Sequence, residues 1–487
     1  MTDLSKDNSY RSILKGISVF GGVQVFQILI NLVRGKFVAM FLGPEGMGVS
    51  SIFTTSSNTI SRASSLGLNL AIVREVAERR DDETGLPVLL GVVRRLIHIT
   101  ALAGCLACAL FSGLLSQLSF GTDSYAWQFM LLSVAIYLSV AGSGKLSVLQ
   151  GLHEVKRVAG STLVGALAGL CAGVPLYYFF GEKGIVPSIV ILSLSTYVFY
   201  SYGCRKCSAA AHLSVRLRDN LPLIKKLVGL GMILLAGDLI GAACGYGINI
   251  YLRYASTLET VGFYQAANSL TNQYAGMVFT AMSLDYFPRL AANIHNRLEM
   301  YKIVNRQMEI VAIVMAPVAC VVIITAPLII RLLLTDSFSE ILPLMRWMGL
   351  GVMFKALHYP MGYIAFAKNN RRLFFWLEAV IGNVLYVGGL MFFYHFYGFI
   401  GLGYAFVADN ILTFIIYIIV NRRAYGYRID RKTAIHGMAC VVLATGCFVS
   451  SLISDSKVAF ALMSFFTAVA SIYCLFTIKK KLQNRES

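Results

Sequence analysis

Fourteen runs of twenty or more mostly apolar residues follow one another along this 487-residue chain, each separated from the next by a charged or turn-rich break. They lie near 13–33, 46–72, 88–115, 125–150, 158–180, 185–204, 224–252, 260–287, 307–334, 340–366, 373–395, 398–420, 434–454 and 457–478. Roughly 20 apolar residues in a helix cross the hydrocarbon core of a bilayer, and only a helix or a closed barrel satisfies its backbone there. The pattern therefore predicts an all-α polytopic membrane protein with about 14 transmembrane helices. Composition agrees, since 57% of the residues are hydrophobic and only 14% charged, where a soluble domain carries about a quarter. No break is long enough for a folded domain. That excludes a two-domain cytosolic enzyme, a secreted disulfide scaffold and a nucleic-acid-binding module, despite a formal net charge of +18. The first run is too long and too polar for a cleaved leader.

Lys and Arg set the orientation, because they gather in cytoplasmic loops. With the N-terminus inside, the inner segments hold 32 of the 42 Lys and Arg residues, including Arg205, Lys206, Arg216 and Arg218, and Arg422, Arg423, Arg428 and Arg431. The outer breaks hold seven: Arg34, Lys36, Lys183, Arg253, Arg331, Arg346 and Lys457. Both termini are thus expected in the cytoplasm. Most of the ten cysteines lie in apolar runs as small buried hydrophobes. Cys204 and Cys207 have metal-ligand spacing, but no second pair or histidine stands beside them, so no metal site is expected.

A repeat appears at an offset of about 214 residues, or six helices. Gly46-Met47-Gly48-Val49 matches Thr260-Val261-Gly262-Phe263, and Val73-Arg74-Glu75 matches Pro288-Arg289-Leu290. An even number of helices gives a parallel repeat with its axis along the membrane normal. The expectation is two six-helix lobes, 1–206 and 207–421, with two further helices and a cytoplasmic tail over 422–487.

Polar residues recur on one face of four of these helices. Gln24, Gln27, Asn31 and Arg34 share a stripe in the first, and Asn58, Arg62, Ser65 and Asn69 in the second. Asp238, Asn249 and Arg253 do so in the seventh, and Gln265, Asn268 and Asn272 in the eighth. Charges at mid-membrane cost roughly 2.5–3.5 kcal/mol on insertion scales, so Arg62, Asp238 and Lys355 must face water, a partner or a ligand. Two readings stand. Either the charges pair and glue the bundle, or they line a water-filled cavity between the lobes. A lining of Arg, Lys and amides suits an anionic, sugar-bearing solute, because cations bind phosphate oxygens and amides match hydroxyls. Arg34, Arg62, Arg253 and Lys355 are the candidate phosphate contacts, with Asp238 and Asp409 as candidate ion-coupling sites. Arg94 and Arg95 read as residues reaching headgroups, Lys145 equally as that or as a cavity residue, and Asp285 and Glu378 as solvated helix ends. The stretch Gly142-Ser143-Gly144-Lys145-Leu146-Ser147 lacks the upstream Gly and the Ser or Thr after Lys of a phosphate loop.

Leu32-Val33-Arg34-Gly35-Lys36, leading to Phe41-Leu42-Gly43-Pro44-Glu45-Gly46-Met47-Gly48, resembles the end of helix one and the Gly-Pro-x-Gly turn of Wzx-type O-antigen translocases. These are polysaccharide flippases of the multidrug/oligosaccharidyl-lipid/polysaccharide (MOP) exporter superfamily. Val261-Gly262-Phe263-Tyr264-Gln265 through Tyr286-Phe287-Pro288-Arg289-Leu290 is similar to the family's eighth helix, and Val352-Met353-Phe354-Lys355 through Ala365-Phe366-Ala367-Lys368 to its tenth. Lys145 followed by Gly151 resembles its fourth.

The resemblance implies a V-shaped pair of lobes that moves undecaprenyl-diphosphate-linked oligosaccharide, such as an O-antigen repeat unit for lipopolysaccharide, outward across a bacterial inner membrane by alternating access. It implies no enzyme activity and no cofactor, leaves a proton or sodium counter-ion open, and suggests a polysaccharide polymerase or assembly protein as partner. Fourteen spans, where related translocases have twelve, is the departure. Rival readings are an ion-coupled exporter of cationic drugs from the same superfamily, a membrane glycosyltransferase or polymerase, and a scaffold for glycan assembly.

Overall fold

The computed structural model describes residues 3–205 and 217–486, and no strand occurs among them. The helices are α1 (Asp3–Ser64), α2 (Leu68–Glu78), α3 (Gly85–Leu110), α4 (Ser112–Phe120), α5 (Ala126–Gly151), α6 (Val155–Phe180), α7 (Ile185–Arg205) and α8 (Leu221–Ala255). They continue with α9 (Leu258–Ala292), α10 (Arg297–Leu333), α11 (Leu342–Ala367), α12 (Arg371–Phe374), α13 (Gly382–Tyr397), α14 (Gly401–Tyr425), α15 (Arg431–Ser450) and α16 (Ser456–Glu486). Each of the fourteen apolar runs falls on helix to within a few residues at its ends. The first lies on α1 and the second on α1 and the start of α2; α1 itself breaks at Gly43 with φ 66° and ψ −168°. Pro44 follows there; its ring clashes with the carbonyl four residues back and it has no N–H to donate, while glycine accepts the positive φ.

Eight helical stretches among the described residues are long and apolar enough to cross a bilayer, so the chain is an integral membrane protein. Three of them, Gly22–Ser64, Val155–Arg205 and Arg372–Tyr425, hold 43, 51 and 54 residues and include a break between successive helices. At about 1.5 Å per residue against a core of about 30 Å, each has length for two crossings. Outside that set, α8, α9 and α11 are 35, 35 and 26 residues long and carry charges or amides within their length.

Two compact units divide the chain, residues 1–262 and 263–487. In the first, α3, α7 and α2 pack on α5, α6 packs on α7 and α1, and α8 lies against α1 and α2. In the second, α11 packs against α10 and α14, α13 against α14, and the two last helices, α15 and α16, against α10. Packing therefore groups α8 with the first unit, whereas the repeat in the sequence counts it as the start of the second copy. Lys206, Cys207 and Arg216, and the expected lobe junction at 206/207, lie outside the described residues.

Inside the first unit the repeat has a structural counterpart. A Cβ at Gly48 would stand 2.0 Å from the Leu258 carbonyl oxygen, and one at Gly262 would stand 1.9 Å from that of Pro44. Pro44 and Leu258 share the 214-residue offset of Gly48 and Gly262. The contact thus maps onto itself under the repeat, as a two-fold contact must. Only glycine lets two helix backbones meet this closely.

Candidate functional site

The sequence between α1 and α2 turns through Leu66 (φ 48°) and Gly67 (φ 65°), both left-handed. Gly67 fits under α8 because neither it nor Gly231 has a side chain; a Cβ on Gly67 would stand 2.0 Å from the Gly231 oxygen. That seating brings Asp238, two turns further along α8, to Arg62, with Nη1 to Oδ2 at 3.7 Å. The pair is open: the two side chains are 52% and 69% exposed. It lines a pocket of 370 Å³ together with Asn58, Asn69, Ser61, Ser65, Ser139 and Ser143, and Gly67, Leu70 and Leu235 complete the wall. Four residues selected from sequence, Asn58, Arg62, Asn69 and Asp238, therefore meet at one helix break. An exposed guanidinium among amides and hydroxyls can bind an anion carrying hydroxyl groups.

The other candidates of the first unit occupy different places. Arg34 donates from Nε and Nη2 to the Tyr177 hydroxyl at 3.3 and 3.1 Å, and that oxygen also accepts from Ser188 Oγ at 2.5 Å. Asn31 and Arg34 line a narrow cleft of 30 Å³ there. Arg253 donates to the Phe120 carbonyl at 3.4 Å, while its Nε is buried without a partner. Asn249 is 1% exposed and donates to Ser51 Oγ at 3.0 Å and Thr55 Oγ1 at 3.1 Å, tying α8 to α1. Gln24 is exposed and Gln27 half-buried on α1.

In the second unit, Gln265 and Asn268 are half-buried on α9, and exposed Asn272 donates to Asn268 Oδ1 at 2.7 Å. Lys355 on α11 has its Nζ 5.9 Å from the Phe279 ring centre and lies in the fields of Glu378 and Asp409. Asp409 has one carboxylate oxygen buried without a partner. One turn from Lys355, His358 Nε2 stands 3.1 Å from Asn410 Oδ1. Lys355 and Asp409, selected separately from sequence, thus lie within electrostatic reach of each other, as does Glu378 of Lys355. This glutamate sits in a π-helical turn, Phe375–Ile381, and accepts a hydrogen bond from the Tyr417 hydroxyl. Its side chain is exposed, in keeping with the solvated helix end expected from sequence, and the π-turn sets it within reach of Tyr417. The side chain of Asp285 is outside the described residues.

A further acid escaped the sequence reading. Glu75 on α2 is 0% exposed, 2.5 Å from Lys226 Nζ and 3.6 Å from Arg79 Nη2. Its signal was an acid on the apolar face of α2 with Arg four residues on. Among the described residues no three His, Cys, Asp or Glu gather to hold a metal ion.

A family model of polysaccharide biosynthesis proteins matches residues 37–343, well over half of the chain. The chain is 21% identical over 395 residues to the Lipid III flippase of Escherichia coli (strain K12), covering 79% of this chain and 92% of that protein. The Lipid III flippase of Shigella flexneri gives the same figures. Among solved structures, the lipid II flippase MurJ in an inward closed conformation superposes with a TM-score of 0.71 at 12% identity, over 96% of this chain and 99% of that one. An inward-facing multidrug resistance MATE family transporter of the MOP superfamily gives 0.66 at 16% identity, over 82% and 94%. The chain shares the fold of these two solved transporters.

Proposed function

Since this chain belongs to the family of polysaccharide biosynthesis proteins, we propose that it is a flippase. Its cargo is an undecaprenyl-diphosphate-linked oligosaccharide, an O-antigen or similar surface-polysaccharide repeat unit, carried from the cytoplasmic to the outer leaflet of the bacterial inner membrane. It works by alternating access and makes or breaks no bond. Both termini face the cytoplasm in this reading, which rests on the distribution of Lys and Arg.

The observation that carries it is the exposed Arg62–Asp238 pair in its amide- and hydroxyl-lined pocket at the break between α1 and α2. A buried structural ion pair would be closed; this one is open to a ligand. Arg62 takes the diphosphate, and Asn58 and Asn69 take sugar hydroxyls. Lys355, Arg34 and Arg253, with Gln24, Gln27, Asn31, Gln265, Asn268 and Asn272, are further contacts along the path, and buried Asn249, chosen with them from sequence, ties α8 to α1 instead. Asp238 and Asp409 are the groups through which a proton or sodium ion would couple. A polymerase or assembly protein receives the product. The relatives named Lipid III flippase support the substrate class at the level of a lipid-linked oligosaccharide.

The test is outward movement of a labelled undecaprenyl-diphosphate oligosaccharide in proteoliposomes. Wild type is expected to move it, and Arg62→Ala and Lys355→Ala to lose at least tenfold in rate while eluting as folded monodisperse protein. A wild-type protein that moves no lipid-linked sugar would overturn the reading, and drug efflux or sugar-bond formation in the same vesicles would identify which rival replaces it.

A further inference from the structure

A second basic site lies in the first unit, on residues the transport reading does not use as its primary contacts. A groove of 780 Å³ opens between α3 and α7 over α5, and it shares no lining residue with the pocket at Arg62. Three cations line it, Arg94, Lys145 and Arg205, with His98 beside them and no Asp or Glu among the lining residues. The rest of its wall is largely apolar, from residues such as Val93, Ile97 and Val198.

The three cations are at one end of their helices. α3 begins at Gly85, while α5 ends at Gly151 and α7 at Arg205. Successive crossings reverse direction, so these ends share a membrane face. At about 1.5 Å per residue, Arg94 is some 13 Å in from the start of α3 and Lys145 some 9 Å from the end of α5. The groove therefore runs from the headgroup level into the upper acyl region. Lys145 is held rather than free: its Nζ donates to Ser201 Oγ at 2.6 Å and stands 4.0 Å over the Tyr197 ring. Arg94 is exposed.

Clustered cations without a carboxylate need an anion from outside the chain. At this depth, beside apolar walls, the anion that also brings hydrocarbon is a phosphate diester with acyl chains. Basic pockets between transmembrane helices bind such headgroups. We propose that this groove is a binding site for one anionic glycerophospholipid of the bilayer, with its phosphate on Arg94, Lys145 and Arg205 and a chain along Val93, Ile97 and Val198.

The full chain would be purified in detergent and examined by native mass spectrometry with added phosphatidylglycerol or phosphatidylethanolamine. Wild type is expected to retain one phosphatidylglycerol at least tenfold more strongly than phosphatidylethanolamine. Arg94→Gln with Lys145→Gln should abolish that preference. Arg422→Gln with Arg423→Gln, which removes the same charge from the end of α14, should keep it, separating a site from a general attraction to a basic protein. Equal losses in the two double variants would overturn the proposal, as would a wild type without preference. So would a wild type that holds undecaprenyl diphosphate in place of phosphatidylglycerol, which would hand the groove to the transport substrate. A second measurement removes no charge. Val198→Trp places a fluorophore on the exposed wall, and brominated phosphatidylglycerol should quench it several-fold more than brominated phosphatidylcholine; equal quenching would overturn the proposal.

Discussion

Arg62 and Asn249 show how differently two polar residues chosen by the same periodicity can be placed. Arg62 and Asp238 are exposed and 3.7 Å apart, so the pair holds the fold by only about 0–1 kcal/mol. Asp238→Asn should therefore shift the melting temperature little while altering flipping; a collapse of the fold without a transport phenotype in the surviving protein would assign the pair to structure. Asn249, in contrast, is sealed between Ser51 and Thr55. Asn249→Leu leaves those hydroxyls without a donor and should cost about 1–2 kcal/mol, read as a lower melting temperature with flipping per folded molecule retained. The spacing of polar residues gives the face they occupy but not whether a neighbouring helix covers that face. In the turn before α3, Asp82 accepts from the backbone N–H of Thr84 and Gly85 at 3.1 and 2.8 Å. These bonds, that from Gly85 foremost, hold its carboxyl below the ordinary carboxylate range. Its contribution is therefore present above the unfolded carboxylate pKa near 3.9 and is lost as pH falls through the lower folded value. Protection from hydrogen exchange across 82–90, taken relative to the intrinsic rate at each pH, should fall on acidification below about pH 4 in wild type, and should be low already at neutral pH in Asp82→Ala.

At the scale of helices, the membrane-spanning architecture was legible because length and hydrophobicity alone mark a spanning helix, and eight stretches among the described residues meet both. Breaks were legible where chemistry marks them, as at Gly43 and Pro44. They were hidden where the sequence stays apolar: Leu66-Gly67-Leu68 reads as continuous helix, yet this break creates the pocket, since Gly67 turns left-handed only against Gly231 on a helix more than 160 residues away. The π-turn at Phe375–Ile381 was hidden for a related reason, and with it the meeting of Glu378 with Tyr417. The repeat was legible through its glycines, and the crossing of Gly48 and Gly262 gives it a physical purpose. Gly262→Val must displace the Pro44 backbone, because neither partner atom is a flexible side chain. The expected outcome is loss of flipping with a helical spectrum retained, and Gly48→Val should match it, being the same contact seen from the other copy. The last two helices are fastened separately. Glu309 on α10 lies 3.1 Å from His436 Nε2 on α15 and 2.5 Å from Lys481 Nζ on α16. Glu309→Leu strands Lys481 and leaves His436 only its bond to Tyr473, and should expose the 451–456 connection to protease sooner than in wild type.

For the whole molecule the deciding quantity is charge moved across the membrane. The cargo of the proposed reaction carries a diphosphate, and an inside-negative potential favours outward movement of an anion by roughly 2.3 kcal/mol per charge per 100 mV. The proposed binding groups are cationic, at Arg62, Arg34, Arg253 and Lys355, so an empty path returning inward would move positive charge in the direction the same potential favours. The same cations travel outward with the cargo, so their work cancels over a full turn and the net charge carried is that of the cargo, which the potential favours, unless an ion bound at Asp238 and Asp409 balances it. A potassium diffusion potential imposed with valinomycin on proteoliposomes separates these cases. Uncompensated cycling is expected to accelerate outward flipping as the inside becomes more negative, with no requirement for sodium or a proton gradient, and Asp409→Asn should leave that response in place. A rate indifferent to potential but dependent on a sodium or proton gradient, and abolished in Asp409→Asn, would show instead that the carboxylates carry the coupling ion and that the charge of the cargo is balanced within the protein.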